Sequence, residues 1–364
     1  MLDLVNVNKW YGEQHVLRDL SLHVRQGEVV TLLGPSGCGK STTLRLIAGI
    51  EKPSSGEIYL RDKLVNDLPP QKRNVGMVFQ RWALFPHMTV FENIAFGLKI
   101  RKVPRKQIAQ KVSEMIGLVK LSGNEHKFPS QLSGGMQQRV AFARALVVKP
   151  DILLLDEPFS NLDEKLRREM EVETRRIQQE IGITTVFVTH NQEEAIVMSD
   201  RIAVMKEGRI VEAGPPLEVY NNTQDLYVCT FLGDANLLEG EICEVTDSNT
   251  LVRCEGIDLK APAIVGSGVS GGKVLLAVRP ERVKITRRKP AGPQDNCFPA
   301  RIKDVIYKGP TVTYRVTAGR VTLQAVQTAS EPADIPSPGD EVFVSFAATD
   351  LIVLKGEKDE QVAN

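Results

Sequence analysis

The chain has 364 residues, and its 46 lysines and arginines nearly balance its 45 aspartates and glutamates, which leaves a net charge of +1. That balance predicts no large polyanion-binding surface, so nucleic acid is not an expected partner. No apolar run approaches the roughly 20 residues of a membrane-spanning helix, and the first residues lack the regions of a signal peptide. We therefore expect a cytoplasmic chain of about two domains, whose scattered cysteines stay reduced.

Short apolar runs alternate with longer amphipathic segments from the start of the chain to about residue 231. The apolar runs are rich in branched residues and predict buried strands, whereas the amphipathic segments predict helices. This alternation predicts an α/β domain with a mainly parallel central sheet over residues 1–234. The predicted strands are Val29–Leu33, Val75–Phe79, Ile152–Leu155 and Thr184–Thr189. The predicted helices are Lys40–Ala48, Arg105–Leu118, Gln137–Val148, Glu164–Ile181 and Gln192–Met198.

After residue 234 the apolar runs become shorter, alternate with polar residues and are separated by glycine and proline. This pattern predicts an all-β domain, a small barrel or sandwich, over residues 235–354. Residues 355–364 form a polar tail that is predicted to fray. The predicted strands are Leu237–Val245, Thr250–Arg253, Lys273–Val278, Ala300–Tyr307, Thr311–Val316, Val321–Ala325 and Glu341–Phe346.

A glycine-rich loop, Gly34–Ser41, fits the pattern GxxxxGK[ST] between a predicted strand and a predicted helix. Its backbone N–H groups and the helix N-terminus are expected to form a nest for the phosphates of a nucleoside triphosphate. Lys40 is expected to reach the β- and γ-phosphates, and the Ser41 hydroxyl to complete a Mg²⁺ site. The predicted nucleotide contacts here are Gly34, Pro35, Ser36, Gly37, Cys38, Gly39, Lys40, Ser41 and Thr42.

Two adjacent carboxylates end the apolar strand Ile152–Leu155. The strand delivers them to the carboxyl edge of the sheet, where ligands bind in open α/β proteins. Asp156 is predicted to hold Mg²⁺ through water, and Glu157 to act as the general base that polarises the attacking water.

A second glycine-containing helix start lies about twenty residues before Asp156, in the segment Leu132–Gln137. Ser133 is predicted to cap the helix, while Gly134 and Gly135 allow a close backbone approach. The segment therefore predicts a second anion-binding helix N-terminus.

With these motifs in this order, residues 1–231 resemble the ABC transporter ATPase family. The matching segments are the phosphate loop Gly34–Ser41, Gln80, the signature Leu132–Gln137, the acidic strand Ile152–Glu157, the loop Ser160–Asp163 and His190. The resemblance implies that Tyr11 stacks on adenine, with Trp10 as a second candidate. It also implies that Gln80 contacts Mg²⁺ and the attacking water, and that His190 contacts the γ-phosphate.

In this family two copies sandwich two ATP molecules, so Ser133, Gly134 and Gly135 would contact nucleotide bound to the opposite copy. A twofold dimer suits such a reciprocal interface. The sequence departs from the family pattern at Met136, Asn191 and Arg81–Trp82. None of these departures removes an atom that hydrolysis needs, so they concern coupling and partner identity.

Residues 235–354 resemble the transport-associated, oligonucleotide-binding-like domain of import ATPases, with Leu275–Glu281 as the recurring segment. The resemblance implies two transmembrane permease subunits, a solute-binding protein as indirect partner, and a position on the cytoplasmic face of the inner membrane. Ile302–Gly309 and Val342–Phe346 resemble polyamine-type importers.

Importers of sugars, ferric iron or phosphonates carry similar ATPases and remain alternatives for the solute. A soluble ABC ATPase is a rival of another class, although its translation-type members carry two such domains and this chain has one. An exporter subunit is opposed only by the resemblance of the C-terminal domain.

Overall fold

The computed structural model describes residues 1–263, 271–292, 295–329 and 335–355. The chain divides into two compact units, Met1–Val219 and Tyr220–Asn364. Apart from Lys355, the predicted tail 355–364 lies outside the described residues. Within the described ranges, no helix is both long and apolar enough to cross a membrane.

The first unit is built from two sheets and the helices that cover them. Its strands are β1 (Leu2–Tyr11), β2 (Gln14–Val24), β3 (Val29–Leu33), β4 (Ser55–Leu60), β5 (Lys63–Leu64), β6 (Val75–Val78), β7 (Ile152–Asp156), β8 (Thr184–Thr189), β9 (Arg201–Lys206) and β10 (Arg209–Gly214). Its helices are α1 (Lys40–Ala48), α2 (Val90–Ile100), α3 (Arg105–Leu118), α4 (Gly134–Leu146), α5 (Glu164–Ile181) and α6 (Gln192–Met198). Helix α7 (Pro216–Asn222) runs across the boundary between the units.

The central sheet has the order β10-β9-β3-β8-β7-β6, and all neighbours are parallel except the edge pair β10–β9. Every residue of β3, β7 and β8 is buried, as expected for parallel strands covered on both faces. The second sheet, β2-β1-β4-β5, is antiparallel. One apolar core joins this sheet to the central one, and another packs α2–α4 against the central sheet.

Side chains at the helix starts fix where several helices begin. The Thr89 and Glu92 side chains form a reciprocal capping box at α2, and the Asp163 carboxylate accepts from the backbone N–H of Leu166 at α5. Such caps satisfy N–H groups that have no partner inside the helix. The capped helices lead away from the loops that carry the candidate site.

The second unit consists of two five-stranded sheets, β13-β12-β11-β14-β20 and β15-β19-β16-β17-β18, in which all pairings are antiparallel. Their inner faces share one apolar core, which confirms the predicted all-β domain. The elements are α8 (Leu226–Phe231), β11 (Asn236–Val245), β12 (Asn249–Cys254), β13 (Ile257–Pro262), β14 (Lys273–Val278), β15 (Lys284–Thr286), β16 (Asn296–Tyr307), β17 (Thr311–Ala318), β18 (Val321–Thr328), β19 (Glu341–Phe346) and β20 (Leu351–Leu354).

Arg279, directly after β14, is 1% exposed and binds the segment that leads into the β domain. Its guanidinium donates to the backbone carbonyls of Tyr220 at 2.9 Å, Cys229 at 2.9 Å, Gly233 at 3.1 Å and Asp234 at 3.3 Å. The same group lies 4.1 Å from the centre of the Tyr220 ring. One buried side chain therefore fastens residues 220–234 to β14.

Most predicted elements are confirmed, and four of the five helices have the predicted bounds. The predicted helix start at Gln137 is wrong, because the Ser133 side chain caps the helix and Gly134 and Gly135 already belong to its first turn. The predicted domain boundary at residue 234 stays a prediction.

Candidate functional site

The phosphate loop connects β3 to α1 and is held in shape by close backbone contacts. Gly39 precedes α1 with φ = 105°, and a Cβ there would lie 2.5 Å from the Leu17 Cδ2 atom. Only glycine fits such a position without strain. Pro35, Ser36 and Gly37 form the exposed tip, whereas Gly34, Cys38 and Gly39 are buried and Thr42 is half-buried.

Lys40 is 5% exposed and turns back into its own loop. Its ammonium donates to the Gly34 carbonyl at 2.7 Å and to the Pro35 carbonyl at 2.8 Å. The buried cation is thus satisfied by two carbonyls of its own loop, which the oxygens of a bound phosphate could replace.

Ser41 and Asp156 meet at the carboxyl edge of the sheet. The Ser41 hydroxyl donates to Asp156 Oδ1 at 2.8 Å, and burial raises the pKa of the Asp156 carboxyl. A divalent cation beside this carboxylate would offset the cost of burying its charge. Hydroxyl and carboxylate oxygens are ligands that Mg²⁺ prefers, so the pair fits the predicted metal site.

Glu157, which follows Asp156 in the chain, is contacted by the other two predicted catalytic residues, Gln80 and His190. The Gln80 side-chain amide donates to Glu157 Oε2 at 3.2 Å, and His190 Nδ1 lies 3.2 Å from Glu157 Oε1. Glu157 has φ = 43°, a left-handed conformation that costs a non-glycine residue about 1–3 kcal/mol. Its N–H donates to the Val188 carbonyl at 3.0 Å, which helps to hold this conformation.

The two aromatic candidates for adenine binding differ in their surroundings. The Tyr11 hydroxyl donates to the Glu51 carboxylate, and burial and Glu51 raise its pKa against the opposing effect of Thr42. Tyr11 therefore lies close to the first turn of α1. The Trp10 ring instead stacks on His15, with 3.7 Å between the ring centres, so one of its faces is already covered.

The signature residues form the first turn of α4. The Ser133 hydroxyl accepts the N–H of Met136 at 3.4 Å, and Ser133 itself is exposed. A Cβ on Gly134 would lie 3.3 Å from the Trp82 ring, and one on Gly135 would lie 3.0 Å from the Leu166 side chain. The glycines thus permit tight packing of this turn beside an exposed, uncharged N-terminus.

The departures from the family pattern have local structural roles. Trp82 donates from Nε1 to the Pro158 carbonyl at 3.1 Å, and the Arg144 guanidinium donates to the Trp82 carbonyl at 2.8 Å. The first bond ties the loop after Gln80 to the loop after Glu157, and the second ties it to α4. Met136 packs against the apolar core, and the Asn191 side chain caps α6 as an Asp would.

Several buried polar residues near this site were not identified from the sequence. They are the buried Glu171, Thr189 and Glu194, together with the half-buried Arg167. Charged residues on an amphipathic helix normally face solvent, so the periodicity gave no sign of their burial. Asn161, in the loop Ser160–Asp163, also donates to the Gln80 carbonyl at 2.7 Å.

Family models match both parts of the chain. The model of the ABC transporter family matches residues 17–160, and that of the TOBE domain matches residues 276–354.

Curated relatives cover nearly the whole chain. It is 44% identical to the spermidine/putrescine import ATP-binding protein PotA of Rubrobacter xylanophilus, over 98% of this chain and 94% of that protein. The corresponding protein of Thermotoga maritima is 42% identical over 97% and 98% of the two chains.

Solved structures resemble the first part of the chain. The dimeric, post-hydrolysis ATP-binding cassette MJ0796 bound to ADP and Pi is 34% identical, with a TM-score of 0.53 over 59% of this chain and 99% of that chain. CbiO1 of Clostridium perfringens, part of the ABC transporter complex cbiONQ, is 33% identical, with a TM-score of 0.56 over 60% and 89%.

Proposed function

The chain belongs to the ATP-binding subunits of ABC transporters, and on that premise we propose that it hydrolyses ATP to energise the import of polyamines such as spermidine and putrescine. The observation that carries the ATPase mechanism is that Gln80 and His190 both contact Glu157. Glu157 directly follows Asp156, whose carboxylate accepts the Ser41 hydroxyl. The solute rests on the names of relatives at 42–44% identity.

Substrate binding begins at the phosphate loop. The β- and γ-phosphates enter the backbone nest of Gly34–Ser41, and the Lys40 ammonium exchanges the Gly34 and Pro35 carbonyls for phosphate oxygens. Tyr11 stacks on the adenine ring. Ser41, Asp156 and Gln80 would hold Mg²⁺, which would neutralise phosphate charge when bound.

Glu157 acts as the general base on the attacking water. A carboxylate held between an amide donor and an imidazole has a fixed orientation, and a positioned base of this kind contributes about 10²–10⁴-fold to the rate. Gln80 orients the water from one side. His190 contacts the γ-phosphate from the other side and reports its loss after hydrolysis.

A second copy of the chain completes the nucleotide site. The exposed Ser133 and the first turn of α4 offer N–H groups to the γ-phosphate bound by the opposite copy. ATP favours the closed dimer because only that state makes these contacts. Closure moves two transmembrane permease subunits, and the chain works on the cytoplasmic face of the inner membrane beneath a solute-binding protein.

Uptake by cells tests the solute. Cells that lack this chain should lose ATP-dependent uptake of radiolabelled spermidine or putrescine, and the wild-type chain should restore it. Glu157→Gln should restore less than about 1% of the uptake, because the general base is lost. Glu164→Gln, which changes an exposed glutamate, should restore it fully.

Two outcomes separate the levels of the proposal. Unchanged polyamine uptake, with loss of sugar, ferric-iron or phosphonate uptake, would reassign the solute and leave the importer in place. If purified Glu157→Gln releases phosphate from ATP at the wild-type rate, the general-base assignment is wrong.

A further inference from the structure

A buried carboxylate supports the backbone on both sides of His190. Glu194 is 4% exposed, and the Thr189 hydroxyl donates to its Oε2 atom at 2.5 Å. The Thr189 hydroxyl oxygen in turn accepts the Asn191 N–H at 3.0 Å. The Thr189 hydroxyl therefore ties the residues before and after His190 together, and Glu194 of the following helix holds that hydroxyl in place.

An arginine on α5 connects the same glutamate to the loop Ser160–Asp163. One terminal nitrogen of Arg167 donates to the Leu162 carbonyl at 3.2 Å, and its Nε lies 3.7 Å from Glu194 Oε1. That Nε is buried and makes no hydrogen bond within the described residues. A distance of 3.7 Å is too long for a charge-assisted hydrogen bond. A movement of Arg167 by less than about 1 Å towards Glu194 would let Nε donate to Oε1.

The remaining charges of this cluster are unbalanced. Glu171 is 5% exposed, and the charges of Glu194 and Arg167 both act on its carboxyl. A buried ion pair contributes little net stability compared with apolar residues of the same volume. Stability alone therefore gives a weak reason for placing two buried glutamates around one arginine.

We propose that Arg167 and Glu194 are positioning residues for His190, which link the loop Ser160–Asp163 to the imidazole that faces Glu157. This inference rests on the proposed function of His190 and Glu157. The link runs from the Leu162 carbonyl to Arg167, to Glu194, to Thr189 and then to His190. A displacement of the loop Ser160–Asp163 is thereby transmitted to His190 and to the base Glu157 through protein contacts alone, without the nucleotide.

Replacing the carboxylate tests the centre of the link. Glu194→Gln removes the charge but keeps an oxygen for the Thr189 hydroxyl, and it should lower kcat about tenfold with KM for ATP within twofold, because only orientation is lost. The matched control is Glu193→Gln, an exposed glutamate in the same helical turn, which should leave kcat unchanged. Equal effects of the two variants would overturn the proposal.

Thr189 provides a conservative rescue. Thr189→Val keeps the shape but removes the hydroxyl, whereas Thr189→Ser keeps the hydroxyl. The serine variant should retain kcat within twofold and the valine variant should lose it about tenfold. A role in packing alone would give the reverse order, because this residue is 1% exposed and serine leaves a cavity.

A spectroscopic measurement is independent of turnover. The protein contains five histidines, so the ring signals of a histidine-labelled sample can be assigned by loss of one signal in His190→Ala. Glu194→Gln and Arg167→Met should shift the His190 signal and leave those of His15, His23, His87 and His126 in place. Arg168→Met, at an exposed neighbour, is the control for arginine removal.

An unmoved His190 signal in both Glu194→Gln and Arg167→Met overturns the positioning role, whatever the activity. A shifted signal with unchanged kcat in Glu194→Gln also overturns it. Wild-type turnover in Glu157→Gln would instead contradict the proposed function, so the two failures can be distinguished.

Discussion

Glu171 shows what burial does to a single ionisable residue. Burial and repulsion by the Glu194 carboxylate raise the pKa of Glu171 from 4.5 to about 7. Between these two pH values, Glu171 is protonated in the folded state and ionised in the unfolded state. The free energy of unfolding therefore falls as the pH rises from 4.5 to about 7 and stays at the lower value above that.

Glu171→Gln should remove this pH-dependent loss. The variant should be more stable than the wild type at pH 8 by up to about 3 kcal/mol, and the difference should shrink towards pH 5, because glutamine stays neutral. Thermal unfolding of both proteins across this pH range measures the effect. Glu169→Gln changes an exposed residue of the same helix and should show no such trend. A difference that is constant with pH would contradict the assignment.

At the scale of elements, helix starts serve two purposes in this chain. The Asp225 carboxylate caps α8 by accepting the Val228 N–H at 2.8 Å, whereas Ser133 caps α4 with a longer bond of 3.4 Å. A cap contributes about 1 kcal/mol, and the longer bond contributes less. If Ser133 were only a cap, its removal would therefore matter less than that of Asp225.

We expect the opposite order for activity. Ser133→Ala should lower the unfolding temperature less than Asp225→Ala, yet it should lower kcat for ATP about tenfold, because the hydroxyl contacts nucleotide across the dimer. Thermal unfolding and steady-state phosphate release compare the two variants. If both lose activity in proportion to stability, Ser133 has a structural role only.

The elements also show what can be predicted from a sequence. The strands that precede Lys40 and His190, and the strand that ends in Asp156, could be predicted from apolar runs. Parallel strands that are buried on both faces require such runs. The hairpin of β1 and β2 was not predicted, since shifts in its register break the alternation of apolar and polar residues. The contacts among Gln80, Glu157 and His190 join segments up to 110 residues apart, and only the family resemblance could group them.

The cluster of Arg167, Glu171, Thr189 and Glu194 could not be predicted from the sequence pattern. On α5 and α6 the same residue types occur on exposed positions, for example Arg168 and Glu193. What distinguishes Arg167 and Glu194 is the packing of the two helices, which no local pattern encodes.

At the scale of the whole molecule, the chain is proposed to work as a pair. Each copy holds the phosphate loop, the Glu157 cluster and the first turn of α4, with the exposed Ser133 before it, within its first unit. In this proposal, the reciprocal use of the α4 turn would make dimer formation dependent on bound ATP.

Glu157→Gln should dimerise in the presence of ATP and Mg²⁺, because the nucleotide that bridges the copies is no longer hydrolysed. Adding Ser133→Arg should weaken the dimer at least about tenfold, since a bulky side chain would fill the nucleotide contact. Sedimentation velocity with and without ATP measures the change. Ser122→Arg, also at an exposed serine, should leave the dimer intact. Equal dimerisation without ATP would contradict the nucleotide bridge.

The buried Arg279 limits where the β domain of this chain can be replaced by that of a relative. Its guanidinium and the four backbone carbonyls of residues 220–234 that it binds all lie in the second unit. A graft joined after residue 234 would bring in a foreign arginine against native carbonyls, with about 1–3 kcal/mol at risk for each bond that fails to re-form. A junction before α7 (Pro216–Asn222) moves donor and acceptors as one inherited piece, so recombination between relatives should be better tolerated there than after residue 234.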